Sequence, residues 1–84
     1  MRHARPEDLD RLEPLLVRLR AFPTLTERSR GVFYRKSRAF LHFHADPAGL
    51  FADVRAADGF ERIKVDEAAG AASLVAQVKK LLAP

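Results

Sequence analysis

The sequence contains no cysteine and no tryptophan, and only four of its 84 residues are glycine. The absence of cysteine excludes disulfides, a thiol nucleophile and cysteine-ligated zinc or iron–sulfur centres. Because the glycines are never clustered, a phosphate-binding loop and a dinucleotide-binding fingerprint are excluded as well. The longest apolar runs are a few residues, whereas a membrane-spanning helix needs roughly 20. We therefore expect a soluble protein that has no membrane segment, no signal peptide and no membrane partner.

Recognisable catalytic motifs are also missing. None of the serines lies in the G-x-S-x-G elbow that presents the nucleophile of many hydrolases. A chain of this length forms one domain, because chains divide into domains only at several times this size. The sequence therefore predicts a single domain, residues 1–84, without catalytic activity of its own and without a cofactor.

Positive charge is concentrated in one short stretch. The formal net charge is +4, and residues 27–38 hold five basic residues against one acidic residue, which equals the whole excess. A basic cluster attracts phosphate groups. A solvated loop whose arginines keep the protein soluble is the simpler interpretation. If the stretch 28–38 binds nucleic acid, the candidate contacts are Arg30, Arg35, Lys36 and Arg38.

Two amphipathic helices flank a region of strands. The first helix begins at Pro6 and ends before Phe22-Pro23, with a leucine stripe at spacings of three and four. Pro14 is expected to kink this helix or to restart it. The last helix is expected to be capped by Asp66 and, because Gly70 weakens its first turn, to begin nearer Ala72.

The strands are predicted at 31–35, 39–45, 50–57 and 60–65. Turns at Lys36-Ser37, Asp46–Gly49 and Asp58-Gly59 join them as antiparallel neighbours. The predicted fold is α+β, a two-layer α-β-β-β-β-α sandwich in which both helices cover one face of a four-stranded meander. The turns place one set of side chains on the helix-facing side: Val32, Tyr34, Ala39, Leu41, Phe43, Leu50, Ala52, Val54, Ile63 and Val65.

The same register leaves phenylalanines and basic residues on the open face, which no helix covers. A contiguous apolar patch on a small domain indicates a partner. We expect a protein partner or a homodimer, with Phe33, Phe40, Phe51 and Arg55 at the interface. A nucleic-acid platform, in which bases stack on the rings, is the alternative. A third interpretation is that this face binds no partner and stays in contact with solvent, with the aliphatic parts of arginine and lysine side chains covering the rings.

His42 and His44 lie two apart on one strand and therefore point to the same face. Asp53 is expected opposite His42, and together the three could bind iron or zinc. A metal-dependent enzyme is thus a third, remote interpretation. A cross-strand pair is the simpler one, in which Asp53 raises the pKa of His42. His3 falls in a terminal segment that we expect to be mobile.

The block from Gly31 to Arg55, which reads GVFYRKSRAFLHFHADPAGLFADVR, resembles the centre of a family of small uncharacterised bacterial proteins of about this length. Those proteins share a helix, this hairpin region and a closing helix. The resemblance implies a bacterial, cytoplasmic protein. It implies no particular activity and transfers no functional residue.

Overall fold

The computed structural model describes residues 2–84 and shows two helices packed on an antiparallel sheet. In chain order the elements are β1 (Arg2–His3), α1 (Pro6–Arg20), β2 (Thr26–Ser29), β3 (Val32–Arg35), β4 (Arg38–Asp46), β5 (Gly49–Ala56), β6 (Gly59–Lys64) and α2 (Ala68–Leu82). The sheet has the strand order β2-β3-β4-β5-β6, with β1 paired to the far end of β4. The α+β class is confirmed, but the sheet has six strands and the prediction of four was wrong.

The two additional strands lack the pattern by which strands are found in a sequence. β1 is only two residues long, and β2 consists of Thr-Glu-Arg-Ser without an apolar alternation. Both are mostly exposed. Pairing with a longer neighbour creates these strands, so they depend on the tertiary fold.

Helix α1 buries its predicted leucine stripe and runs through Pro14 as one element, so the helix does not restart there. Its first turn is fixed by Asp8, which is buried although it is charged. The Asp8 carboxylate accepts a hydrogen bond of 2.9 Å from the backbone N–H of Arg5 and one of 2.6 Å from the Arg2 guanidinium. This ion pair also connects β1 to the helix.

Helix α2 begins at Ala68 after Glu67, so the predictions of an Asp66 cap and a start near Ala72 were wrong. Gly70 lies inside the first turn of α2, where only a residue without a side chain fits against the end of β6. A Cβ atom at this position would come within 1.9 Å of the carbonyl oxygen of Lys64. Glycine therefore allows the helix to approach the end of β6 closely.

The register between β4 and β5 is confirmed, with Leu41 opposite Val54 and His42 opposite Asp53. The register between β5 and β6 differs from the prediction by two residues. Gly59 pairs with Ala56, so the loop is Ala57-Asp58 and not Asp58-Gly59. Because side chains alternate with a period of two, this shift leaves every residue on its predicted face.

A β-bulge overturns the prediction for β3 and β4. Tyr34 pairs with Ala39 but Phe33 pairs with Leu41, so Phe40 is an extra residue in β4. At a bulge two residues of one strand oppose one residue of its partner. Phe33 and Phe40 are accordingly only 1% and 3% exposed and belong to the core. Alternation then turns Tyr34 away from the helices, whereas the sequence analysis placed it in the core.

Apolar side chains of both helices and of one sheet face form a single core. Six predicted core positions on β4, β5 and after β6 are confirmed, with Ile63 packed at the edge of the cluster: Leu41, Phe43, Leu50, Ala52, Val54 and Val65. The prediction was wrong for Val32 and Ala39, which are only half-buried and lie outside the core because the bulge changes the register of β3 and β4. Among residues 2–84, no helix is long and apolar enough to span a membrane. The fully buried side chains of largest volume are Phe33, Leu16, Leu19, Leu41, Leu74, Val54 and Val78.

Candidate functional site

The open face of the sheet, which the helices do not cover, carries the polar chemistry of the molecule. Its centre is Asp53 on β5, which is 7% exposed. Arg62, its cross-strand neighbour on β6, donates two hydrogen bonds to this carboxylate, from Nε to Oδ1 at 2.8 Å and from the terminal Nη2 to Oδ2 at 3.0 Å. Two parallel bonds to a guanidinium stabilise the ionised form. They lower the pKa of Asp53 below its usual range, so Asp53 is a carboxylate at neutral pH.

The two histidines of β4 contact each other and contact Asp53 unequally. His42 Nδ1 lies 2.9 Å from His44 Nε2, and His44 Nε2 lies 3.2 Å from Asp53 Oδ2. Burial lowers the pKa of both histidines, and in His42 the neighbouring His44 lowers it further. The predicted rise in the pKa of His42 was wrong. Asp53 does favour the charged imidazole, but burial and the neighbouring His44 outweigh it.

His3 joins this group, which the sequence analysis did not foresee. It lies in β1 directly opposite His44, so it is not in a mobile tail. Its ring centroid is 4.8 Å from that of His44 and 6.4 Å from that of His42. The protein has only three histidines, and all three lie together on this face. A sequence signal for His3 was lacking, because a two-residue strand has no periodicity.

A basic pocket of about 430 Å³ lies at the end of the sheet where the β3–β4 turn meets the end of α2. Its floor is apolar, and its walls hold four cationic side chains: Arg35, Lys36, Arg38 and Arg55. Among the residues that the structure describes, no acidic side chain lines this pocket and none forms an ion pair with these four cations. The apolar part consists of Phe40, Ala56, Ala57 and Leu81.

Backbone carbonyls orient two of these cations. Arg55 Nε donates a hydrogen bond of 2.6 Å to the carbonyl oxygen of Ala39. Arg35 donates one of 3.2 Å to the carbonyl oxygen of Leu81, in the last turn of α2. Each guanidinium has five N–H donors, so both retain donors for a ligand.

Arg30, the fourth candidate nucleic-acid contact, is not part of the basic pocket. It lies against helix α1, where it donates to Asp10 at 2.8 Å and to Glu13 at 2.9 Å. The structure therefore brings Arg35, Lys36 and Arg38 together and separates Arg30 from them.

Two aromatic rings lie on the open face near cationic side chains, Phe60 as the register predicted and Tyr34 as a result of the bulge. Phe60 is 44% exposed, and the Arg55 guanidinium lies 4.7 Å from its ring centroid. Tyr34 is half-buried, with Arg28 lying 4.4 Å from its ring centroid. Of the predicted interface, Phe51 and Arg55 remain partly exposed, while Phe33 and Phe40 are buried in the core.

Comparisons of the chain with protein-family models, with curated proteins and with solved structures find no match. The resemblance to small bacterial proteins stays a prediction, and the functional interpretation rests on the geometry of the open face and of the basic pocket.

Proposed function

We propose that this protein is a binding domain for single-stranded nucleic acid, and that the basic pocket takes the phosphates. The observation that carries the proposal is the presence of four cations around one apolar pocket without a neutralising carboxylate. Cations that form no ion pair within the protein are available for phosphate oxygens, and their mutual repulsion is relieved when an anion binds. The compartment we propose is the bacterial cytoplasm, as the resemblance implies.

The neighbouring rings favour a single strand over a duplex. Phe60 is 44% exposed on the open face, with the Arg55 guanidinium over part of its ring, so a base can stack on the accessible part of the ring while the arginine contacts the backbone. Stacking on an aromatic ring contributes about 1–3 kcal/mol per base and requires an unpaired base. Because every base has such a face, we expect little sequence preference.

The charge of the pocket sets the expected salt dependence. Each cation that neutralises a phosphate of a single strand adds about −0.7 to the slope of log K against log salt. Three or four contacts therefore predict a slope between roughly −2 and −3. An interaction made only through Phe60 would show little dependence on salt.

Fluorescence anisotropy with a labelled oligothymidylate tests the proposal. The variant with Lys36→Gln and Arg38→Gln should bind more weakly, and its salt slope should be about 1.4 units shallower, from two lost phosphate contacts. A matched control with Arg11→Gln and Arg18→Gln removes the same charge from the exposed side of α1. This control should bind like the unmodified protein.

Two results would contradict the proposal. The first is the absence of binding at tens of micromolar protein in low salt. The second is an equal loss of affinity in the pocket variant and in the α1 control, which would indicate attraction to net charge without a site.

Self-association is the second candidate, and the exposure of Phe60 on the open face supports it. A two-fold dimer would cover this ring with its copy. Sedimentation of the unmodified protein at micromolar concentration tests this arrangement, with Phe60→Asp expected to give a folded monomer. A species of 9.4 kDa in the unmodified protein would exclude the dimer.

A further inference from the structure

The three histidines and Asp53 form two cross-strand pairs that lie side by side on the open face. His3 is opposite His44, and Asp53 is opposite His42. His42 and His44 are two residues apart on β4, so the pairs are adjacent along this strand and point to the same side. Four side chains from three strands thus converge, and each of them can donate a lone pair to a metal ion.

The distances among His42, His44 and Asp53 are close to those of a coordination sphere, and the His3 ring lies next to them, with its centroid 4.8 Å from that of His44. The possible ligand atoms of His42, His44 and Asp53 all lie within 4.8 Å of one another. Zinc–nitrogen bonds are about 2.0–2.1 Å, so two ligand atoms in a tetrahedral sphere are roughly 3.3 Å apart. The observed separations of 2.9 Å and 3.2 Å along His42, His44 and Asp53 differ from this value by a few tenths of an ångström.

We propose that His3, His42, His44 and Asp53 form a binding site for a divalent transition-metal ion, with zinc as the fitting ion. Imidazole ligands favour zinc, copper and nickel over magnesium and calcium, which prefer oxygen. His42, His44 and Asp53 supply three ligands in place, and the neighbouring His3 ring, by turning toward them, would supply the fourth. The site is distinct from the basic pocket and does not depend on the nucleic-acid proposal.

Arg62 has a place in this arrangement. An ionised carboxylate offers about four lone-pair positions, so Asp53 can bind a metal ion and still accept hydrogen bonds from Arg62. Outer partners of this kind orient metal ligands in many sites. The metal ion would also fasten β1 to the sheet through His3, since β1 is only two residues long.

Titration of the chelator-treated protein with zinc chloride at pH 7.5, followed by calorimetry, tests the site. We expect one ion per chain with a low-micromolar or tighter dissociation constant. Removal of an outer partner typically weakens metal binding 10–100-fold, so loss of a ligand in His3→Ala or His44→Ala should weaken it at least tenfold. Asp58→Asn, on the exposed β5–β6 loop, is the matched control and should bind normally.

Cobalt(II) gives a readout of the coordination itself. Four-coordinate cobalt absorbs visible light far more strongly than six-coordinate cobalt, so the unmodified protein should turn blue. In His3→Ala a water takes the place of the imidazole, so the visible bands should shift and weaken. His3 is exposed and outside the core, so this variant keeps its fold even if His44→Ala does not. Zinc binding weaker than about 100 µM, or zinc affinity and cobalt absorption that His3→Ala leaves unchanged, would overturn the four-ligand site.

Discussion

The two faces of the sheet differ in what stabilises their side chains. The helix-facing side is apolar and buried, with Phe33, Phe40 and Leu41 at most 3% exposed. On the open face, by contrast, the side chains depend on specific partners, such as Arg62 for Asp53 and Arg28 for Tyr34. Stability should therefore depend on the first face and ligand binding on the second.

A single bulge assigns the phenylalanines to these faces. Without the extra residue in β4, Phe33 and Phe40 would point to the open face, as Phe51 and Phe60 do. With it, two rings enter the core and two stay at the surface. A comparison of one phenylalanine from each face measures the difference directly.

The largest effect is expected from Phe40→Ala on the helix-facing side. Truncation of a buried phenylalanine removes its apolar contacts and leaves a cavity, which costs about 3–5 kcal/mol. For a small domain this is a large part of the total free energy of unfolding, about 5–15 kcal/mol. Urea denaturation followed by circular dichroism checks it. A loss below about 1 kcal/mol would place Phe40 on the surface and remove the bulge.

A smaller loss of stability is expected for Gly70→Ala, where α2 approaches β6, although a glycine-to-alanine change in a helix is normally stabilising. Alanine normally stabilises a helix interior by about 0.5–1 kcal/mol relative to glycine. Here the new Cβ would meet the Lys64 carbonyl oxygen at 1.9 Å, so the helix must move away from the strand. We expect a net loss of about 1–3 kcal/mol, as in other overpacked sites.

Ala72→Gly in the same helix is the control for this experiment. Ala72 is exposed, so the substitution should cost only the propensity difference of about 0.5–1 kcal/mol. Thermal and urea unfolding of both variants shows whether Gly70→Ala loses more stability than Ala72→Gly. A Gly70→Ala protein more stable than the unmodified one would show that the helix does not approach β6 closely.

The open face should make stability depend on pH in a defined window. The folded pKa values of His42 and His44 lie below the unfolded value near 6.5. The unfolded chain therefore binds protons that the folded chain does not, as pH falls from about 6.5 toward the folded values. The two histidines therefore contribute fully to the free energy of unfolding above about pH 6.5, and this contribution is lost as the pH falls from 6.5 to their folded pKa values.

Thermal melts in the presence of a chelator, at half-unit steps between pH 7.5 and 5, check this effect. We expect the melting temperature to fall with pH in the unmodified protein and to fall less in His44→Gln. A melting temperature that increases toward pH 5 would show that Asp53 stabilises a charged histidine after all.

The smallest effect on stability is expected for Phe60→Ala on the open face. This ring is 44% exposed, so its truncation should change the free energy of unfolding by about 0.5 kcal/mol or less. Oligothymidylate affinity should fall all the same, because a stacking surface is lost. Unchanged affinity in the anisotropy assay would confine the nucleic-acid contact to the basic pocket.

Local patterns in the sequence determined the helices, four of the six strands and most of the core. The leucine stripe of α1 and the alternation of β4 and β5 are strong periodic signals, and the turn at Asp46–Gly49 set the β4–β5 register correctly. They also placed His42 opposite Asp53. A two-residue error at the β5–β6 loop had no effect on the faces, because it matched the period of a strand.

Only the tertiary structure decided that His3 joins His42, His44 and Asp53, and that Phe33 and Phe40 leave the open face. Alternation in the sequence does not show where a strand takes up an extra residue, so the bulge that buries Phe33 and Phe40 was not predictable from the β3–β4 turn. Strand β1, and with it the position of His3, exists because β4 offers an unpaired edge to two residues. The physical reason is the same in both cases, because packing and strand pairing between distant segments outweigh weak local preferences.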